Sequence, residues 1–402
     1  MLNRSTLKKA GKKWVEKDII SPEQLEQILN LYPKREPRLL LTIFSILLIS
    51  IGFLTFIFSD WAQVPQFSRV LLMVLFMVTL YVAGHILYEK EQKILGITLL
   101  LLGFVAFGAN LLLAINIYSI ILFNAWPFVL WSIVSLFLFM IYEHRWIFFT
   151  GIAVTTIGQI NSFILYDSFN YFLIAILLLG FTHFAYHRKE QLYCYLVTIS
   201  FVLQAVFFIN VYEQSYYWLL FYYMLLYIIG YILKGTHFSV SIRRIALIST
   251  FILGMFQSFV LHDVYLFSEE IEYNILFFTV WMIAFTGITL LKISQNNYED
   301  LAPIILYLPV FYLPFASIFS LLVLFTFSLT YIMIGYTKDN YSKVFYGSIA
   351  FLLSTLTAYV QYAWDTLNKS LFFIIGGIIL LAMSLVIERQ RRILRGESGD
   401  VR

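Results

Sequence analysis

The chain has 402 residues, of which 61% are hydrophobic and only 12% charged, with a net charge of +4. Soluble domains carry about a quarter charged residues, so this composition excludes a soluble globular protein and points to an integral membrane protein. Aromatic residues make up 19%, and the single cysteine, Cys194, excludes an intrachain disulfide.

The first segment is the polar one. Between Ser5 and Lys17 the residues Leu7, Ala10 and Trp14 recur at helical spacing, with Lys8, Lys9, Lys12, Lys13 and Lys17 around them. The stretch SPEQLEQILNLY follows, with Ser21 as N-cap, Pro22 at the first helical position and Gln24 completing a capping box. Val15, Ile19, Leu25, Ile28 and Leu29 can then close a helical hairpin over residues 1–38. Two readings of it stand side by side. It is a charged cytoplasmic cap that fixes orientation, or its Lys-rich face lies on anionic lipid, at about 1 kcal/mol per lysine. A partner-binding role is a third.

From Leu39 the chain becomes a series of apolar stretches of about 17–24 residues, the length an α-helix needs to cross about 30 Å of hydrocarbon. They are Leu39–Phe58, Val70–Tyr88, Ile94–Ile117, Asn124–Tyr142, Trp146–Tyr166, Asn170–Tyr186 and Leu192–Tyr212. The second seven are Tyr216–Leu233, Ile245–Leu261, Tyr273–Leu291, Leu301–Phe315, Ile318–Tyr336, Val344–Tyr362 and Leu371–Ile387. No period-2 alternation marks a β-barrel. The expected fold is all-α and polytopic, with about fourteen transmembrane helices over residues 39–387 and a basic tail over 388–402. Pro303, Pro309 and Pro314 crowd one short stretch and predict a broken or re-entrant element there. With the amino terminus inside, every Lys and Arg except Arg69 and Lys369 falls on the cytoplasmic side. That asymmetry favours an even number of spans, both termini cytoplasmic and a location in the cell membrane. The first span follows a long charged segment with no small-residue cleavage site, so it reads as retained.

FSDWAQVPQFSR, from Phe58 to Arg69, reads as the first outer loop. Trp61 anchors the interface and Pro65 ends the turn. Asp60 is a weak catalytic candidate, since an acidic residue there could serve as a base toward a lipid-linked sugar. A solvated loop carboxylate is the plainer reading.

The remaining chemistry is sparse. There is no phosphate loop, no Cys/His metal spacing and no Ser/His/Asp arrangement, so no metal and no cofactor is expected. His85 and His183 each precede a span-ending Tyr by three residues. Such a pair can hold a haem, but interface histidines without ligands are commoner. The acidic loop between His262 and Glu272 reads as solvated, and Cys194 as packing. No Asp, Glu, Lys or Arg falls in the middle of a span, which argues against proton coupling. Eight amides lie in the outer halves of odd-numbered spans: Asn110, Asn116, Gln159, Asn161, Gln204, Asn210, Gln257 and Gln361. They are interhelical glue, or they line a hydrated outer cavity for a neutral polar headgroup, with Asn110, Gln159, Gln204 and Gln257 deepest.

From Leu39 to about Arg145 the sequence resembles the domain of unknown function 2157 family, multi-pass membrane proteins of bacteria. Gly52, Trp61 and Pro65 in DWAQVP, Arg69, Gly84 and FGANLLLAINIYS (Phe107–Ser119) carry the resemblance, with Trp14 and IISPEQ ahead of the spans. Asp60 stands where Asn is common and Asn116 where Gln is. The resemblance implies a fold and a membrane location but no activity. The expected role is therefore non-catalytic, structural or regulatory, through lipid or partner contacts. A transporter or flippase of a lipid-linked or neutral polar molecule is the alternative, and a glycosyltransferase-like envelope enzyme the third. No nucleic-acid partner is expected.

Overall fold

The structure is a computed structural model of the full chain. It describes residues 11, 14–15, 21–25, 41, 44–45, 48–49, 51–52, 55, 65–120, 124–188, 190–262, 273–294, 298–338, 340–366, 368, 370–371, 374–375, 377–378 and 381. Asp60, Trp61, the Lys-rich segment, the acidic loop and the tail 388–402 lie outside these residues. Two compact units are present, residues 1–122 and 123–402. Among the described residues there is no strand, and nine helices are long and apolar enough to cross a membrane. The protein is an all-α, multi-pass membrane protein.

In the first unit the capping box forms as its sequence dictates. The Ser21 N–H donates to Gln24 Oε1 at 3.0 Å and the Gln24 N–H donates to Ser21 Oγ at 3.2 Å. Gly11 meets Leu25 at a distance that leaves no room for a Cβ. Helices α1 (Gln66–Glu89) and α2 (Lys93–Ile117) make a hairpin whose turn uses Glu91 at φ 62°. Pro65 occupies the N-cap of α1 at φ −55°, and the Arg69 N–H donates to its carbonyl at 3.1 Å. The two helices meet at glycines. A Cβ on Gly96 would stand 2.7 Å from the Tyr88 backbone nitrogen, and one on Gly84 3.0 Å from that of Leu100. Away from this seam Leu71, Leu72, Leu75, Val78, Val82 and Ile86 are exposed on α1, as a helix solvated by lipid requires.

The second unit runs through α3 (Trp126–Tyr142), α4 (Arg145–Tyr166), α5 (Tyr171–Arg188), α6 (Gln191–Val211), α7 (Trp218–Ile232), α8 (His237–His262) and α9 (Ile275–Ser294). It closes with α10 (Ala316–Thr337) and α11 (Tyr341–Thr366). Glu143, Asp167 and Glu213 end helices in the left-handed region, at φ 47°, 43° and 49°, and let tight turns reverse the chain. Alternate turns thus fall at alternate ends. Arg145, Arg188, Lys234, Arg243, Arg244, Lys292, Lys338 and Lys343 all lie at one end. These are all the described lysines and arginines of the unit.

Between α9 and α10 the chain is 3-10 helical over Tyr298–Tyr307 and Val310–Tyr312. Pro303, Pro309 and Pro314 remove the donors an α-helix would need. The segment still runs from the basic end to the other. It leaves α9 near Lys292, the Trp281 indole donates to the Tyr307 carbonyl at 2.8 Å, and the Asn274 N–H donates to the Tyr312 hydroxyl at 3.3 Å. Phe311 stacks on Tyr217, at the start of α7, with ring centroids 5.0 Å apart. A 3-10 helix rises about 2 Å per residue against 1.5 Å, so about fifteen residues suffice for about 30 Å.

Candidate functional site: a groove and the buried amides

Helix α5 is not uniform. Its centre, Ile176–Phe181, is a π-helix, and the Thr182 hydroxyl donates to the Leu177 carbonyl, five residues back, at 2.9 Å. π-turns inside α-helices recur at functional sites because the widened turn re-aims side chains. Here Leu178 and Leu179 from that turn form one wall of a groove of about 430 Å³ completed by α6, α7 and α8. Leu179 is 79% exposed, so the groove opens on the helix surface rather than inside the bundle. Its polar lining is Thr182, His183, Tyr186 and Thr198, and the His187 ring lies 4.4 Å from that of His183. Leu233 and Phe238, at the α7–α8 turn, bring the groove to the basic end. There Arg188 is ion-paired with Glu143, the Arg244 guanidinium donates to the Tyr195 hydroxyl at 3.0 Å, and the Lys234 ammonium lies 5.6 Å from the Tyr231 ring centre.

Each amide has its own set of contacts within its unit. In the first unit Asn110 donates to the Met73 carbonyl at 3.2 Å and so ties α2 to α1, while its Oδ1 has no partner. In the second unit the Gln159 amide pairs with both backbone groups of Asn170. Its Nε2 donates to the Asn170 carbonyl at 3.2 Å, and its Oε1 accepts from the Asn170 N–H at 3.1 Å. Asn170 also donates to Asn124 Oδ1 at 2.8 Å and caps α5 through Phe172 and Leu173. Gln204 donates to the Ser200 hydroxyl at 3.4 Å, which meets the Thr156 hydroxyl of α4 at 2.8 Å. Gln204 Oε1 is buried without a partner, as is Gln257 Nε2, and Gln361 has neither Oε1 nor Nε2 bonded. Cys194 is buried, its thiol 3.8 Å from the Ala185 carbonyl.

One residue escaped the sequence reading. Lys292 lies just past the apolar run of α9, where the charge pattern counts it with the basic end, and it is 0% exposed. Its ammonium donates to the Tyr227 hydroxyl at 2.9 Å and lies 4.6 Å and 5.7 Å from the ring centres of Tyr227 and Tyr231. The signal was the i, i+4 spacing of those tyrosines, which puts both on one face of α7. Of the histidines considered for haem, His85 lies in the first unit and His183 in the second. Among the described residues no group of three or more His, Cys, Asp or Glu could hold a metal ion.

Comparison with known proteins adds one finding. Residues 12–148 match the model of a family described as "Predicted membrane protein (DUF2157)". That stretch takes in Trp14, the SPEQ cap, Gly84 and the FGANLLLAINIYS segment, so the residues that carried the resemblance lie within it. Neither curated proteins nor solved structures give a match.

Proposed function

We propose, with the match of residues 12–148 to the DUF2157 family model as premise, that this membrane protein is non-catalytic and acts by holding an anionic phospholipid in the groove of α5–α8. One observation carries the reading. An apolar groove walled by a π-turn opens on the surface of the second unit at the end where all its described cations lie. An acyl chain gains little by moving from bilayer to groove, because both are hydrocarbon. Selectivity comes from the headgroup, which meets His183 and Tyr186 in the lining and the cations of the neighbouring turns, at about 1 kcal/mol each. Excess Lys and Arg marks the cytoplasmic face, so the lipid belongs to the inner leaflet of the cell membrane and both termini are cytoplasmic. The Lys-rich segment before Ser21 is a second place where the chain meets anionic lipid.

The test is lipid extraction from protein purified in mild detergent. Ile229 lines the groove and is exposed, so Ile229→Trp fills the space without disturbing the packed interior. Native protein should retain anionic phospholipid over zwitterionic, and Ile229→Trp should lower that retention at least about threefold, equivalent to about 0.7 kcal/mol. Equal retention by both proteins contradicts the reading.

A further inference from the structure

The packing of α8, α10 and α11 brings three polar side chains to one level. Helices α10 and α11 are antiparallel across a short turn, with Ser328 Oγ 3.5 Å from Ser354 Oγ. A Cβ on Gly347 would lie 2.9 Å from the Ile332 backbone nitrogen. Continuing that register by two turns sets Gln361 opposite Ser320. Helices α8 and α10 are also antiparallel: the rings of Phe251 and Phe327 are 5.9 Å apart, and a Cβ on Gly254 would meet Leu324 at 3.0 Å. Continuing this register by one turn sets Gln257 opposite Ser320 as well. The three residues are 4%, 2% and 4% exposed for Gln361, Ser320 and Gln257. Ser320 donates to the Gly254 carbonyl at 3.0 Å, but Gln257 Nε2 and both polar atoms of Gln361 have no partner.

Unbonded amides in an apolar interior cost several kcal/mol each, more than two such groups at one level would otherwise be retained for. What they lack is a donor and an acceptor together. The amides and the hydroxyl carry no formal charge and so suit a neutral guest, and the titratable ring of His262 is turned onto Tyr362, with centroids 5.2 Å apart. We infer that the Gln257–Ser320–Gln361 level is a binding site for a small neutral hydroxyl compound, either water or a polyol. Gln361 offers it both a donor and an acceptor, Gln257 a donor and Ser320 a hydroxyl. This goes beyond the lipid reading and does not depend on it, since the groove shares only α8 with the site. Ser354 and Thr357 continue the buried polar stripe of α11 below Gln361, and both already donate to carbonyls four residues back. They need no guest, which confines the site to the glutamine level.

The test uses the full chain in proteoliposomes with the side-chain amides of glutamine labelled with nitrogen-15. The Gln361 resonance is identified by its loss in Gln361→Met. Magnetisation transferred from water should reach the Gln361 and Gln257 amides as fast as it reaches exposed amides. If glycerol then displaces that transfer and raises the melting temperature of native protein more than that of Gln361→Met, the guest is a polyol. If transfer persists unchanged in glycerol, the guest is water. Transfer as slow as for the packed core in both conditions overturns the site. Thermal unfolding gives an independent reading. With a guest bound, the near-isosteric Gln361→Met should lower the melting temperature by about 2 °C. An empty site predicts a rise instead, because the change then removes an orphan. Should Gln361→Met fail to fold, Gln257→Met carries the same prediction with the same sign.

Discussion

The groove of α5–α8 and the glutamine level of α8, α10 and α11 share one helix and handle the membrane in opposite ways. The groove leaves leucines on the surface, where hydrocarbon is the solvent and exposure carries almost no penalty. The glutamine level keeps polar atoms away from lipid, where each must find a partner or be expensive. In water the exposed groove would be the anomaly, whereas buried amides without partners are costly in either solvent. In a bilayer the exposed leucines become ordinary, and the informative features are the π-turn that shapes an apolar surface and the polar atoms the packing leaves unmet.

Prying α10 from α11 at the turn that joins them should have the largest effect. Gly335 faces the α10–α11 turn so closely that a Cβ would sit 2.6 Å from the Val344 backbone nitrogen. Gly335→Leu should separate the two helices and destabilise the second unit by about 3 kcal/mol or more, read as loss of folded protein in detergent. The groove should be spared if the two regions are independent, so any residual folded protein should keep its lipid.

Lys292 sharpens the comparison with a buried polar group that has partners. If buried polar groups matter here through the partners they find, Lys292→Met should cost about 1–2 kcal/mol, the size of a desolvated cation–π contact. A more stable variant, measured by thermal unfolding in nanodiscs, would mean the cage around Lys292 does not repay its burial.

The smallest effect belongs to the turn between α3 and α4, outside the spans. His144 caps α4 by accepting from the Trp146 N–H at 3.4 Å. Burial, and then the neighbouring Arg145 charge, hold its pKa below the ordinary 6.5. The unfolded chain therefore takes up this proton first as pH falls. The stability His144 contributes is complete above about pH 6.5 and is lost on acidification through the window below it. His144→Asn keeps a capping acceptor and removes the titration. Between about pH 7.5 and about pH 5 the native protein should lose more stability than the variant, and equal slopes would remove His144 as the cause.

How much of this the sequence disclosed follows from what each feature depends on. Spans such as α2 and α6 depend only on apolar length, and the Ser21 cap only on residues three apart, so both were legible. The irregular crossing before α10 was marked by Pro303, Pro309 and Pro314, although its 3-10 form needed the structure. The π-turn at Ile176–Phe181 carries no residue signature and was not foreseen. Depth along the spans groups Asn110, Gln159, Gln204 and Gln257. The level proposed across helices joins Gln257 to Gln361, and that depends on antiparallel registers no single-helix pattern contains. Lys292 falls at the basic end, as its place past an apolar run implies, but its burial against the tyrosines of α7 depends on a contact between helices that the sequence of α9 alone does not contain.

The most direct measurement of the lipid reading is photocrosslinking in proteoliposomes with two phospholipid probes, one anionic and one zwitterionic, each with a photoactivatable acyl chain. Mapped by proteolysis, the anionic probe should concentrate on Leu178–Tyr186 and Leu226–Ile242, above its level on α1 and above the zwitterionic probe at the same positions. Ile229→Trp should abolish that excess. Even labelling of α1 and the groove by both probes, unchanged by Ile229→Trp, would show that the groove is ordinary lipid-facing surface.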